Sequence, residues 1–295
     1  HRRRGTVMSV TVCLTFDFDA MSSWIYGYRT KSPNALSRGE FGAVGARRLI
    51  DLLRLRNIRG TWFVPGHSAE AFPDIMAALV SGGHEIGHHG YCHEDPSHME
   101  RAEEIFVLER GIDVLRSMTG VAPVGYRTPS GSFSENSLAL LLEHGFAYDS
   151  SMMADDFTPY YCRVGDRVAV DEPFVFGECV DIVEVPFAWH LDDHPFFEHT
   201  RSRRGINPGL ADPNRVYEVW RGEFDYLYQR LGEGVYTLTL HPQVIGRGHS
   251  LLMLERLLDD IAGHSNVVFR TMGDYVAEWR GENPLATWKS PATGP

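Results

Sequence analysis

Short apolar segments alternate with amphipathic segments along most of this chain, and that alternation limits the possible folds more than any other feature. Strands are predicted within residues 10–20, 60–64, 84–87, 124–126, 146–148, 180–185, 235–240 and 267–269. Helices are predicted over residues 39–56, 69–81, 101–117, 135–144, 215–231, 251–262 and 272–279. Alternating strands and helices form parallel sheets, so we expect an α/β fold whose sheet closes into a barrel.

Two stretches interrupt the alternation. Residues 21–37 form a long aromatic segment that includes Trp24, and we predict a functional loop there. Residues 150–213 are expected to form an elaborated loop region over the barrel mouth. Because no repeat or linker is evident, we predict one domain over residues 8–281, after a tag remnant at 1–7 and before a tail at 282–295.

The composition narrows the possible partners. The formal net charge of -11 argues against binding to nucleic acid or to an anionic membrane surface. No apolar run approaches the roughly 20 residues that a membrane-spanning helix needs. The four cysteines form no C-x-x-C pair, so free thiols are expected. With no secretory leader after Met8, a cytoplasmic protein is the simplest expectation.

The first predicted strand ends in two acids, Asp17 and Asp19. Side chains two residues apart on a strand share a face, and the carboxyl ends of parallel strands are where such folds place their chemistry. Two neighbouring carboxylates repel unless a cation or a proton lies between them. The alternative is a solvated loop in which neither acid has a chemical role.

A histidine-rich segment follows the third predicted strand. It offers two pairs at four-residue spacing, His84 with His88 and His89 with His93. The first pair would lie at opposite ends of the strand, whereas the second follows its carboxyl end, where the two acids are expected. We therefore predict His89 and His93 as metal ligands, the alternative being unconnected surface histidines.

Two more strands end in polar residues. Arg127 precedes a turn that includes Ser130, where it could hold a carboxylate while backbone N–H groups face a developing oxyanion. His241 ends the strand predicted at 235–240. Each could be structural if it stood alone. One carboxylate with two imidazoles is nevertheless typical of a catalytic zinc site, and it leaves another carboxylate as base and a histidine as acid.

These segments resemble the motifs of the polysaccharide deacetylases, carbohydrate esterase family four. The family motifs T-F-D-D-G, H-[ST]-x-x-H, R-x-P and L-x-x-H are matched by residues 15–20, 89–93, 127–129 and 238–241. The resemblance implies a distorted (β/α) barrel that hydrolyses an amide with one divalent metal ion, zinc being expected. It further implies metal ligands at Asp19, His89 and His93, a base at Asp17 oriented by Arg127, and an acid at His241.

Two departures point to one branch of the family. Phe18 separates the two acids, and Gly90 replaces the hydroxyl residue after the first ligand. Both features resemble a cytoplasmic branch that contains peptidoglycan deacetylases as well as metal-independent allantoinases and cyclic imidases, and that branch suggests a homotetramer. Residues 185–189, followed by residues 191–193, also resemble it. We expect Trp189 in the pocket wall, the alternative being core packing.

The primary hypothesis is therefore a metal-dependent deacetylase of an N-acetylated sugar or a related N-acyl substrate. Because the allantoinase-like members lack the second ligand histidine, the presence of His93 favours metal dependence. The alternatives are a cyclic ureide or imide hydrolase and a non-catalytic carbohydrate-binding pseudoenzyme. Trp24, Ser130 and Trp189 are the expected substrate-binding residues.

Overall fold

The computed structural model describes residues 9–202 and 205–289. The strands are β1 Val10–Asp17, β2 Thr61–Val64, β3 Glu85–His88, β4 Gly125–Tyr126, β5 Tyr148–Asp149, β6 Tyr160–Val164, β7 Glu178–Glu184, β8 Thr200–Ser202, β9 Gly205–Asn207, β10 Gly234–Leu240 and β11 Val267–Phe269. The predicted tag remnant at 1–7 lies outside the described residues, and so does the end of the predicted tail from residue 290 onward.

The helices in the described residues follow most strands, as the alternation predicts. They are α1 Ser22–Gly27, α2 Pro33–Leu55, α3 Gly66–Ala71, α4 Pro73–Ser81, α5 Arg101–Thr119, α6 Ser137–Glu143, α7 His194–Phe197, α8 Pro213–Tyr226, α9 Pro242–Ile245, α10 Gly248–Ala262 and α11 Met272–Glu282. No helix in these ranges is long and apolar enough to cross a bilayer.

One curled sheet organises the fold of the described residues. Its strands follow the order β10-β1-β2-β3-β4-β5-β7-β6, and β11 pairs with the first half of β1. All these pairings are parallel except that of β6 with β7. The predicted α/β fold with a distorted (β/α) barrel is confirmed. Parallel pairing brings the carboxyl ends of β1, β3, β4 and β10 to the same end of the barrel.

The centre of the barrel wall is β1, which is buried along its whole length. Such complete burial explains why the strand reads as a nearly continuous apolar run rather than as an alternating one. On one face, Phe16 stacks on Trp62 with ring centroids 4.4 Å apart, beneath the helical layer of α2 and α10. On the other face, Cys13 packs with Phe63 and Val235. The cysteines are free thiols in this structure, as the spacing predicts.

Two local predictions were wrong, and a third holds with a change of helix type. Residues 22–27 form α1 instead of an irregular loop, and α2 begins at Pro33 because proline suits the first turn of a helix. The helix predicted over 69–81 is two helices, since Phe72, with a φ of -130° and a ψ of 62°, is not helical and Pro73 begins α4 after it. The helix predicted over 215–231 leaves the α conformation after Tyr226 for a π-helical turn.

The region over the barrel mouth is more regular than its composition predicts. Residues 150–213 contain the strands β6 to β9 and the short helix α7. The predicted strand at 180–185 corresponds to β7, which spans Glu178–Glu184. Near the carboxyl end of the described chain, Trp288 packs against Trp279 with ring centroids 5.1 Å apart.

Candidate functional site

The two acids of the first strand are buried at the barrel mouth. Asp17 is the last residue of β1, and both Asp17 and Asp19 are less than 5% exposed. Between them, Phe18 turns into the core and packs against Phe72. The alternation of the strand therefore persists beyond its last paired residue. The Ser22 N–H and the Ser68 hydroxyl both donate to the Asp19 carbonyl, which fixes the backbone at that position.

Asp19, His89 and His93 form a compact group of possible metal ligands. One ligand atom from each residue lies within 4.8 Å of the others. His89 Nε2 lies 3.4 Å from Asp19 Oδ1, and His93 Nε2 lies 3.7 Å from Asp19 Oδ2. Burial would raise the pKa of Asp19, but His93 and His89 beside it lower that pKa below its usual range. The carboxylate is therefore ionised, as a metal ligand must be.

The hydrogen bonds of this group fit a divalent cation. His89 Nδ1 lies 2.8 Å from the Arg127 carbonyl, to which it donates, so the Nε2 lone pair faces Asp19. A backbone partner of this kind commonly orients a metal-ligating histidine. His89 Nε2 and Asp19 Oδ1 are both buried without a hydrogen-bond partner in the described chain. A cation with mixed nitrogen and oxygen ligands would satisfy both atoms.

The other possible histidine pair is engaged elsewhere. His88 Nε2 bonds the Leu108 carbonyl within α5, 3.0 Å away. His84 Nδ1 accepts a hydrogen bond from the Gly60 N–H at 3.1 Å. Burial lowers the pKa of His88 to about 3, so its imidazole is neutral. Neither residue belongs to the ligand group.

Arg127 joins Asp17, at the end of β1, to Ser150, which follows β5. Its Nη1 donates to Asp17 Oδ1 and to Thr15 Oγ1, each at 2.8 Å. Its Nε donates to the Ser150 carbonyl at 2.8 Å and its Nη2 to the Ser150 hydroxyl at 2.9 Å. The buried guanidinium is thus held by oxygen atoms on three sides, and Asp17 Oδ2 stays free to face the cavity.

His241 lies across the cavity from Arg127 and has a partner that the sequence reasoning missed. The Asp193 carboxylate accepts hydrogen bonds from His241 Nδ1 at 2.7 Å and from the His241 backbone N–H at 2.9 Å. His241 Nε2 faces the acids, 3.9 Å from oxygens of both Asp17 and Asp19. Burial would lower the pKa of His241, but Asp193 and Asp192 raise it well above its usual value. The imidazole is therefore protonated near neutral pH.

These side chains line a cavity of about 480 Å³, within the range of small-molecule sites. The three residues predicted to bind substrate also lie in its wall. Trp24 stacks on Tyr28 with ring centroids 4.7 Å apart, and Trp189 is 45% exposed. Ser130 has a φ of 61°, in the left-handed region, within the turn that follows Arg127.

The structure thus brings all nine predicted site residues to one cavity, and it holds them with residues to which the sequence reasoning gave no role. Asp193 and Ser150 belong to this second group, and they hold His241 and Arg127 in place. The two adjacent acids at 192–193 were a visible signal, although nothing local connects them to His241. Ser150 follows a short strand, and its sequence context carries no comparable signal.

Comparisons with known proteins agree with this geometry. The sequence model of the polysaccharide deacetylase family matches residues 9–148. The peptidoglycan deacetylase of Helicobacter pylori is 37% identical over 287 residues, which cover 93% of this chain and 98% of that protein. A Mycobacterium smegmatis structure described as a polysaccharide deacetylase is 30% identical, with a TM-score of 0.80 over 95% of this chain and 93% of its own.

An allantoinase structure shares the fold at lower identity. It is 23% identical, with a TM-score of 0.74 over 94% of this chain and 92% of its own. Similarity at that level concerns the architecture alone, and the chemistry depends on the residues in the cavity.

Proposed function

This chain belongs to the polysaccharide deacetylase family, and we propose that it is a metal-dependent hydrolase that deacetylates an N-acetylated sugar or a related N-acyl substrate. The observation that carries the proposal is the pair of buried ligand atoms without a hydrogen-bond partner in the described chain, Asp19 Oδ1 and His89 Nε2. They lie beside the Asp17 carboxylate, which Arg127 holds, and the His241 imidazole, which Asp193 holds. The Helicobacter pylori relative is named as a deacetylase of peptidoglycan, which supports an acetamido sugar as the substrate class.

Asp19, His89 and His93 are the residues that would hold the divalent cation, with zinc as our expectation. When bound, such a cation acts as a Lewis acid that polarises oxygen atoms and stabilises negative charge. The nitrogen and carboxylate ligands suit zinc, and three protein ligands leave positions open, as catalytic zinc sites do.

Asp17 is the proposed general base. Arg127 occupies one of its oxygens, and the other, Oδ2, lies 3.9 Å from both His89 Nε2 and His241 Nε2. This free oxygen faces the place where an attacking water must lie, so it accepts the proton of that water. Because the base is already ion-paired and buried, it needs no reorganisation before the reaction.

His241 is the proposed general acid. Its Nδ1–H is donated to Asp193, which leaves the Nε2 proton facing the reacting groups. That proton passes to the nitrogen of the amide as its bond to the carbonyl carbon breaks. We assign a backbone N–H near Ser130, which lines the same cavity, to the oxyanion of the tetrahedral intermediate.

The direct test measures acetate release from N-acetylated sugars and other N-acetyl compounds by the zinc-loaded protein. We expect activity on at least one acetamido sugar, and we expect Asp17→Asn to reduce kcat by about 10²–10⁴-fold, the usual contribution of a general base. Asp51→Asn, which changes an exposed carboxylate on α2, is the matched control and should behave like wild type.

Allantoin and a cyclic imide should be included in the same panel. Turnover of either compound by metal-free protein, with no acetate released from any amide, would contradict the deacetylase proposal in favour of a ureide or imide hydrolase. A folded, zinc-loaded protein that turns over none of these substrates but binds saccharides would favour a pseudoenzyme.

A further inference from the structure

A buried carboxylate, that of Glu94, holds the turn that carries His93, and it has no role in the proposed hydrolysis. Glu94 is 7% exposed, and its Oε2 accepts the Tyr91 N–H at 2.9 Å and the Cys92 N–H at 2.7 Å. Two consecutive amides that converge on one anionic oxygen form charge-assisted hydrogen bonds, which are stronger than bonds between neutral groups.

The opposite side of the same turn is held by the backbone at the start of α3. The Gly66 N–H donates to the Gly90 carbonyl at 3.2 Å, and the His67 N–H donates to the Tyr91 carbonyl at 2.7 Å. The carbonyl groups of the turn are thus fixed by another element, while two of its N–H groups depend on Glu94.

These hydrogen bonds matter because the backbone of the turn adopts an unfavourable conformation. Gly90 has a φ of 74° and His93 a φ of 58°. A left-handed conformation costs a residue with a side chain about 1–2 kcal/mol, so the surroundings must impose it on His93. Without that constraint, His93 could relax and carry its imidazole away from Asp19.

Glycine at position 90 is consistent with this role of Glu94. A Cβ at Gly90 would lie 3.0 Å from Glu94 Oε2 and 3.2 Å from Pro129 Cγ. The carboxylate therefore occupies space that a side chain at position 90 would need, in addition to the strain imposed by its positive φ. A serine or threonine at position 90 would therefore crowd the Glu94 carboxylate.

We propose that Glu94 is a positioning residue that holds His93 in the geometry required for metal binding. The inference rests on the proposed metal site. Glu94 would not bind the metal itself; it would act through its hydrogen bonds to the backbone of the turn that carries His93. Its removal is expected to weaken metal affinity by about 10–100-fold, which is typical for partners that orient ligands.

The test is a zinc titration of purified protein in competition with a chromophoric chelator. The variants are Glu94→Ala, Glu94→Gln and Glu94→Asp. The control is Glu70→Gln, because Glu70 contacts the same tyrosine only through its exposed hydroxyl, at 2.7 Å. Cobalt absorption spectra report the geometry of the site independently of activity, and circular dichroism verifies the fold.

We expect Glu94→Ala to bind zinc about 10–100-fold more weakly and to give an altered cobalt spectrum. Glu94→Gln, which keeps an acceptor oxygen but loses the charge, should have a zinc affinity between those of Glu94→Ala and wild type, and Glu70→Gln should match wild type. If Glu94→Ala does not fold, the shorter but still charged Glu94→Asp replaces it and should also bind zinc more weakly.

Folded Glu94→Ala or Glu94→Asp with wild-type zinc affinity would overturn this inference and leave the proposed function intact. Wild-type protein that binds no zinc or cobalt would overturn the metal site itself, and this inference with it.

Discussion

Arg127 donates a 2.8 Å hydrogen bond to Asp17, although the two residues are separated by 110 positions in the sequence. Both side chains are almost completely buried. An ion pair in such a place depends on its remaining hydrogen bonds, and here Thr15 and Ser150 supply them. The pair joins the carboxyl ends of β1 and β4.

Replacing Arg127 should therefore damage both activity and stability. We expect Arg127→Met to lower kcat by at least about 10²-fold and the free energy of unfolding by about 3–5 kcal/mol, since it leaves Asp17 buried without its partner. Steady-state kinetics and urea denaturation measure the two effects. Arg101→Met, which removes an exposed ion pair to Glu143, should change stability by less than about 1 kcal/mol.

Asp193 should set the upper pH limit of activity. Because Asp193 raises the pKa of His241, Asp193→Asn should lower that pKa, and the acid form should be lost at a lower pH. The basic limb of the profile of kcat against pH is expected to shift downward by about one unit or more. Asp192→Asn is the comparison, since Asp192 lies 3.7 Å from His241 Nδ1 and should cause a smaller shift.

A basic limb that stays in place in Asp193→Asn would show that His241 is not the acid observed in the profile.

The same variant tests how the raised pKa of His241 affects folding stability. A histidine with a raised pKa stabilises the folded state below its unfolded pKa of about 6.5, and this stabilisation is lost as the pH rises through the folded pKa. Asp193→Asn should therefore lose more stability at pH 6 than at high pH.

The metal content should depend on one histidine pair and not on the other. We expect His93→Ala to lose most of its bound zinc because it removes a ligand, and to lose activity with it. His84→Ala should retain zinc, since His84 accepts a hydrogen bond from the Gly60 N–H and lies outside the ligand group. Elemental analysis after dialysis measures both. Equal zinc content in the two variants would contradict the assignment of His93 as a metal ligand.

Chelation should also lower the thermal stability of the wild-type protein. A ligand that binds only the folded state adds about 2.7 kcal/mol when its free concentration is 100 times its dissociation constant. We therefore expect a lower melting temperature in EDTA, and its recovery when zinc is added back. A melting temperature that is independent of both additions would contradict a tight metal site.

Replacing Gly131 should destabilise the protein because a side chain there would collide with Trp189. Its φ is 67°, and a Cβ there would lie 2.7 Å from Trp189 Cζ2. Gly131→Ala is expected to destabilise the folded state by about 1–2 kcal/mol and to raise KM, since it displaces a wall of the cavity. The double variant with Trp189→Ala should recover part of the loss, which a thermodynamic cycle can measure.

Asp149 and Glu184 should make stability decrease with pH. The two buried acids lie opposite each other on paired strands. Burial raises the pKa of Asp149 to about 6, and burial together with Asp149 raises that of Glu184 well above its usual value. The folded state then holds a proton that the unfolded state releases above its pKa of about 4.

The expected loss from Asp149 is about 3 kcal/mol between pH 4 and pH 7, with a further loss at higher pH as Glu184 ionises. Asp149→Asn should flatten this dependence, because an amide does not titrate. Urea denaturation at several pH values measures it. The prediction would be contradicted if the free energy of unfolding rose more steeply between pH 5 and pH 7 in the wild type than in the variant.

The sequence alone determined the fold class and the six residues that meet at the barrel mouth: Asp17, Asp19, His89, His93, Arg127 and His241. Periodicity identified β1 and the strands that end near His89, Arg127 and His241, and parallel pairing necessarily brings those ends together. The residue types then limited the chemistry, since carboxylate and imidazole are zinc ligands and proton carriers. The resemblance to a known family added the individual roles.

Only the tertiary structure decided which groups hold those residues in place. Asp193 contacts His241 across 48 positions of the chain and Ser150 contacts Arg127 across 23. Glu94 acts close to His93, but its effect depends on a turn whose backbone no periodic pattern encodes. Periodicity reports which face of a strand or helix is buried, whereas these partners lie in irregular segments and are selected by packing in three dimensions.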